Sequence, residues 1–86
     1  MKKAIIVFRS KTQVFEFADI LNLYGVRTGV TSAPKEAHIG CNLALEVAYN
    51  ALPTVKAALS EGSSSGLNGI YAYEKKGERV SVYRVI

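Results

Sequence analysis

The chain has 86 residues, which is enough for one domain with a single thin core and too few for two domains. Eleven lysines and arginines against seven acidic residues give a net charge of +4, and their dispersed arrangement excludes a polybasic arm that would bind nucleic acid or a membrane. The lone cysteine, Cys41, excludes an intrachain disulfide and a multi-cysteine metal site, and it fits a reducing compartment, so we expect a soluble protein of the cytoplasm.

The first part of the chain predicts a strand followed by a helix. Residues 4–8 form a continuous β-prone apolar run, which is typical of a central strand and too short for a signal-sequence core. Ser10 and Gln13 then have the spacing of a capping box, and Gly25 is suited to the left-handed residue that ends a helix. The pattern predicts a helix over about residues 11–24, with these apolar residues at helical spacing: Val14, Phe17, Ala18 and Leu21.

The middle of the chain predicts two strands separated by a loop. Residues 26–31 form a short strand candidate, which Pro34 ends because proline cannot donate to a β ladder. Residues 35–40 follow as a loop. From Asn42 onward the sequence alternates, which indicates a half-buried strand whose core face carries Leu43, Leu45, Val47 and Tyr49.

The last part predicts a helix and a β-hairpin. Asn50 is the expected N-cap, Pro53 is tolerated in the first turn, and the apolar stripe stops at Gly62. Two β-prone segments then flank the turn at Lys75-Lys76-Gly77.

This order of elements predicts the fold class for residues 1–86 as a single domain. We expect an α+β, ferredoxin-like βαββαβ sandwich with an antiparallel sheet, two helices on one face and a C-terminal extra strand or hairpin.

No motif in the chain predicts a catalytic or cofactor site. The phosphate-binding and zinc-protease motifs are absent, and His38, the one histidine, has no neighbouring ligand set. The third strand also lacks the aromatic pattern of RNA-recognition domains. We therefore predict no catalytic residue, no metal, no cofactor, no nucleic-acid partner and no membrane partner, and a carrier or binding module rather than a self-sufficient enzyme.

Cys41 is the residue with the most chemistry to offer. It follows Gly40, which would let another molecule approach the sulfur, and it is close in sequence to Lys35 and His38. Positive charge near a thiol favours the reactive thiolate. A lone cysteine is also commonly a small buried hydrophobic residue, so the residues alone leave a reactive and an inert Cys41 both open.

Several segments resemble the selenium/sulfur carrier protein-like family of small bacterial and archaeal domains. The resemblance covers about residues 4–74, and its most diagnostic part is the segment Cys41-Asn42-Leu43-Ala44-Leu45-Glu46-Val47, similar to the family's cysteine-led third strand. The chain departs from the family at Asn42, where glycine is usual. The other similar segments are Ile5–Phe8, Tyr24–Val26, Ser32–Glu36 and Gly69–Tyr71.

The resemblance implies that Cys41 carries sulfur or selenium as a persulfide or selenide. It implies a donor enzyme and an acceptor protein as partners, with four supporting residues around the thiol: Lys35, His38, Gly40 and Asn42. The alternative is a non-catalytic regulatory or assembly module that binds a small ligand or a protein partner through its sheet. A buried, unreactive Cys41 would favour this alternative.

The C-terminal segments predict an edge strand through which two copies could associate. Val80, Val82 and Ile86 would pair or pack with a second copy, whereas Lys75, Lys76 and Arg84 are charges that can protect an edge. We expect a homodimer.

Overall fold

The computed structural model describes residues 2–33, 43–61 and 67–85. These residues form five strands and two helices, with a short 3-10 turn at Tyr49–Ala51. The elements in chain order are β1 (Lys2–Phe8), α1 (Lys11–Leu23), β2 (Gly29–Ser32), β3 (Leu43–Ala48), α2 (Leu52–Glu61), β4 (Leu67–Lys76) and β5 (Arg79–Arg84).

The strands make one antiparallel sheet in the order β2-β3-β1-β4-β5. Buried residues of α1 and α2 join one cluster with residues from β1, β3 and β4, so both helices cover the same face of the sheet. The predicted α+β class, the antiparallel sheet and the two helices on one face are confirmed. The element order is β-α-β-β-α-β-β, which extends the six-element βαββαβ order by a fifth strand.

β1 is the central strand because it is apolar on both faces. Ile6 lies opposite both Leu45 of β3 and Ile70 of β4, and all three are fully buried under the helices. Its alternate residues, Ile5 and Val7, belong to a second cluster on the opposite face of the sheet. A strand that is buried on both sides needs an unbroken apolar run, as residues 4–8 provide.

Helix α1 begins and ends as the sequence predicts. The Ser10 side chain accepts a hydrogen bond from the Gln13 amide at 3.3 Å, as in a capping box. At the other end Gly25 has a φ of 80°, and the Val26 amide donates to the Leu21 carbonyl at 2.9 Å. Because this Schellman-type ending engages Val26, β2 begins at Gly29 rather than at Val26 as predicted.

β3 confirms the predicted alternation. Leu45 and Val47 are buried under the helices, and Leu43 packs against the same cluster. Ala44 is buried on the opposite face.

The predicted start of the second helix is wrong in one respect. Asn50 lies inside the 3-10 turn and does not cap α2, which begins at Leu52. The 3-10 turn links the end of β3 to the start of α2. Pro53 occupies the first turn of α2, as predicted.

β4 and β5 form the predicted hairpin. Lys76 and Arg79 are opposite each other, and the turn between them contains Gly77 with a φ of 61°. A positive φ is tolerated by glycine because it has no Cβ. The hairpin places β5 at one edge of the sheet and β2 at the other.

Candidate functional site

The predicted sulfur site lies outside the described residues. The structure therefore leaves the roles of its members as predictions. These members are Lys35, His38, Gly40, Cys41 and Asn42.

The described residue nearest to Cys41 in the chain is Leu43, where β3 begins. Leu43 pairs with Ser32 at the end of β2, and the next residue, Ala44, pairs with Val7 near the end of β1. Val7 in turn pairs with Gly69 near the start of β4. Antiparallel pairing thus brings the start of β3 and β4 and the end of β1 and β2 to one end of the sheet, which we call the β3-start end.

The described charges near the β3-start end include three cations, and Glu61 is the last residue of α2, the helix that leads into β4. α1 begins there directly after β1, so its N-terminus adds partial positive charge, and its first turn contains no acidic residue. Arg9 and Lys11 flank the Ser10 cap and are exposed. At the end of β5, the Arg84 guanidinium donates to the Asn68 carbonyl at 3.1 Å, which holds a further cation at this end. Such surroundings favour anionic groups, including a thiolate.

A second feature is a groove on the sheet face opposite the helices, which we call the open-face groove. Its volume is about 340 Å³. Lys3 and Glu46 form an ion pair across it, with their nearest charged atoms 2.6 Å apart and both side chains about one-third exposed (33% and 31%). The groove is lined by Lys3, Ile5, Thr31, Ser32, Glu46, Tyr73 and Val82.

The open-face groove combines an apolar floor with a polar rim. Ile5 is buried in the floor, and Thr31, which pairs with Ala44 on the same face, adds a hydroxyl group that can donate or accept hydrogen bonds. This combination suits a small polar ligand or a peptide segment. The part of the chain that the structure describes contains no group of three histidine, cysteine, aspartate or glutamate side chains that could hold a metal ion.

Sequence reasoning did not predict the open-face groove or the Lys3–Glu46 ion pair. Only the antiparallel pairing of β1 with β3, which places Ile5 opposite Glu46, brings the lysine within reach of the carboxylate.

Lys2 makes a further contact that the sequence does not predict. Its ammonium nitrogen lies 4.0 Å from the ring centroid of Tyr49 and 5.8 Å from that of Tyr83. A hydrogen bond with Tyr83 raises the pKa of Lys2, and although desolvation acts against this, Tyr49 and Glu74 add to the increase. The contact joins β1, the 3-10 turn and β5 near the start of β1, far from the β3-start end.

Neither helix in the described ranges is long and apolar enough to cross a membrane.

The described residues form a small α+β domain with a five-stranded antiparallel sheet and two helices on one face. A family model described as "Putative Se/S carrier protein-like" matches residues 3–71, which run from β1 into β4 and include Cys41. This match covers more than half of the chain, and the chain therefore belongs to that family. No curated protein and no solved structure gives a significant match.

Proposed function

We propose that the protein is a sulfur or selenium carrier and that the thiolate of Cys41 holds the transferred atom. The observation that carries this proposal is family membership over residues 3–71, a range that contains the one cysteine of the chain. The proposal needs no active site beyond the thiol, because the donor and acceptor proteins supply the rest of the chemistry.

The proposed transfer is a thiol–persulfide exchange. The Cys41 thiolate attacks the outer sulfur of a persulfide on the donor enzyme, a new S–S bond forms, and the donor thiolate leaves with the electrons of the broken bond. An acceptor nucleophile then attacks the same outer sulfur, and the Cys41 thiolate leaves. No external oxidant or reductant is consumed, and selenium in place of the outer sulfur gives the selenide-bearing form.

The charge at the β3-start end supports this chemistry. Cys41 precedes Leu43, the first residue of β3, by two residues in the sequence. We propose that Arg9, Lys11 and the N-terminus of α1, which lie at the same end of the sheet as Leu43, stabilise the Cys41 thiolate and attract an acidic partner surface.

The ferredoxin-like assignment and the cytoplasmic location belong to the same proposal. Strands β2, β3, β1 and β4, with both helices on one face, have the arrangement of a split βαβ sandwich to which β5 is appended. A carrier thiol must stay reduced between transfers, which a reducing compartment such as the cytoplasm provides.

The test is to load the protein with a cysteine desulfurase and cysteine and to measure the intact mass. We expect a gain equal to one sulfur atom, reversed by dithiothreitol, and no gain for Cys41→Ser, because oxygen cannot form the persulfide. A selenium donor should add one selenium atom in the same way. A known persulfide acceptor in the same reaction is the positive control. If that acceptor gains sulfur and this protein does not, the carrier proposal is contradicted.

The open-face groove favours the alternative function, a non-catalytic regulatory or assembly module. Here the groove between Lys3, Glu46 and Tyr73 would bind a small polar ligand or a peptide, and Cys41 would have no chemical role. Amide chemical shifts measured during titration with a panel of free amino acids test this alternative. Amide shift changes centred on the groove residues, in a protein that takes up no sulfur, would favour the regulatory or assembly module. If the groove amides do not shift, these ligands do not bind there.

A further inference from the structure

β5 is an edge strand that contains no proline and no bulge, and its charged residues, Arg79 and Arg84, lie at its two ends. Its six residues pair with β4 in an unbroken register. Val80 is 49% exposed, and Val82 is partly buried against the apolar cluster of the open face. Exposed edge strands that are long and flat are ready to accept another strand.

The backbone pattern shows which groups of β5 are directed away from the sheet. The Val85 amide donates to the Ile70 carbonyl at 2.8 Å, so this opposite pair is hydrogen-bonded. Hydrogen-bonded and non-hydrogen-bonded pairs alternate along an antiparallel ladder. The odd-numbered residues of β5 therefore direct their N–H and C=O groups toward β4, whereas Val80 and Val82 direct theirs outward.

We propose that β5 pairs antiparallel with β5 of a second copy, with the two-fold axis passing between the two Ser81 residues. The two five-stranded sheets would then form one continuous sheet of ten strands. The side chains opposite each other would be Val80 with Val82, Ser81 with Ser81, Arg79 with Tyr83, and Glu78 with Arg84 of the second copy.

A second copy fits this edge because β5 is complementary to itself in this register. The exposed valines pack against valines, and Arg79 faces the ring of Tyr83, which is 43% exposed. Glu78, at the turn, comes opposite Arg84, so the charges at each end of the paired strands have opposite signs.

Other registers lose this complementarity. An axis at Arg84 sets two arginines against each other, and an axis at Val82 or at Tyr83 places Arg84 opposite a valine. An axis at Val80 places Glu78 opposite Val82. Like charges opposite each other destabilise strand pairing, and a charge opposite a valine leaves both side chains poorly matched.

The interface is one strand wide, so the dimer should be weak. It is smaller than the roughly 1,200 Å² of total buried surface that stable complexes usually need. β5 also lies beyond residues 3–71 that match the family model, so the proposed contact is a property of this chain's own C-terminal strand.

Disulfide cross-linking of Ser81→Cys tests the register. Paired positions 81 form a non-hydrogen-bonded pair with Cα atoms about 4.5 Å apart, within the range that a disulfide spans. In a Cys41→Ser background, Ser81→Cys should form covalent dimers at least about tenfold faster than Ser32→Cys, because pairing raises the effective concentration of the two thiols. Ser32 is an exposed serine on the opposite edge strand, β2, and is therefore the matched control.

The rates also define the results that overturn the proposal. Equal rates for the two variants, or a faster Ser32→Cys, overturn pairing through β5. A faster reaction of Val82→Cys than of Ser81→Cys overturns the register centred on Ser81.

Val82→Pro provides an independent test by sedimentation velocity at up to millimolar concentration. Proline removes an outward N–H that β4 does not use, so the variant should remain folded by circular dichroism while the dimer dissociation constant rises about tenfold or more. Val82→Ala keeps the amide and is the control. A Val82→Pro dimer that is as strong as the wild-type dimer, or a wild-type protein that is monomeric throughout, refutes the proposed pairing.

Discussion

Leu45 provides the sharpest test of how the core is built. It is fully buried (0% exposed) in β3, opposite Ile6 of β1 and beneath the helices. Leu45→Ala removes three carbon atoms, and at about 0.8 kcal/mol for each buried CH₂ the transfer contribution alone is about 2.4 kcal/mol. The cavity left behind raises the expected loss in the free energy of unfolding to about 3–5 kcal/mol. Small domains have only about 5–15 kcal/mol in total, so this loss is large.

The assay is urea unfolding followed by far-ultraviolet circular dichroism, since the chain has no tryptophan to report by fluorescence. The control is Leu23→Ala, the same substitution at a residue of α1 that is 87% exposed, where we expect a change within about 0.5 kcal/mol. If Leu45→Ala changed the free energy of unfolding as little as Leu23→Ala does, the proposed packing of β3 against the helices would be wrong. Such a result would mean that the opposite face of β3 is directed toward the helices.

Three further predictions concern the helix cap, the Lys2 contact and the thiol. Ser10→Ala should lower the free energy of unfolding by about 1 kcal/mol in urea titrations, because it removes the cap of α1, and no loss would mean that the cap is not stabilising. Contact with Tyr83 raises the pKa of Lys2 above its usual value of 10.5. The charged Lys2 therefore contributes to stability below pH 10.5, and this contribution is lost as the pH rises through the raised pKa. Lys2→Met should therefore reduce the alkaline loss of stability, whereas Lys56→Met on α2 should not, and identical alkaline profiles would contradict the contact. Cys41 should react with iodoacetamide faster than free cysteine in the native protein, and a thiol that reacts only after denaturation is structural.

Whether each segment forms a strand or a helix could be predicted, because local sequence patterns determine it. The apolar run of β1, the alternation of β3 and the Ser10 cap of α1 each determine the structure of their own segment. The errors fall where a neighbouring element competes for the same residues. Val26 belongs to the ending of α1 instead of β2, and Asn50 belongs to a 3-10 turn that precedes α2. Both positions depend on how the chain must turn between elements, which propensity does not encode.

Residue spacing and turn residues were sufficient to predict the α+β class, the buried leucine face of β3 and the terminal hairpin, because they specify these features within short segments. Short segments of the sequence also resemble the carrier family, and this resemblance implies Cys41 as the sulfur-carrying residue. The contacts between distant segments could not be predicted in this way: the Lys3–Glu46 ion pair, the approach of Lys2 to Tyr49 and Tyr83, and the outward backbone groups of β5. Strand order and register are set by packing of the whole sheet against its helices, so residues far apart in sequence meet only once that packing is complete.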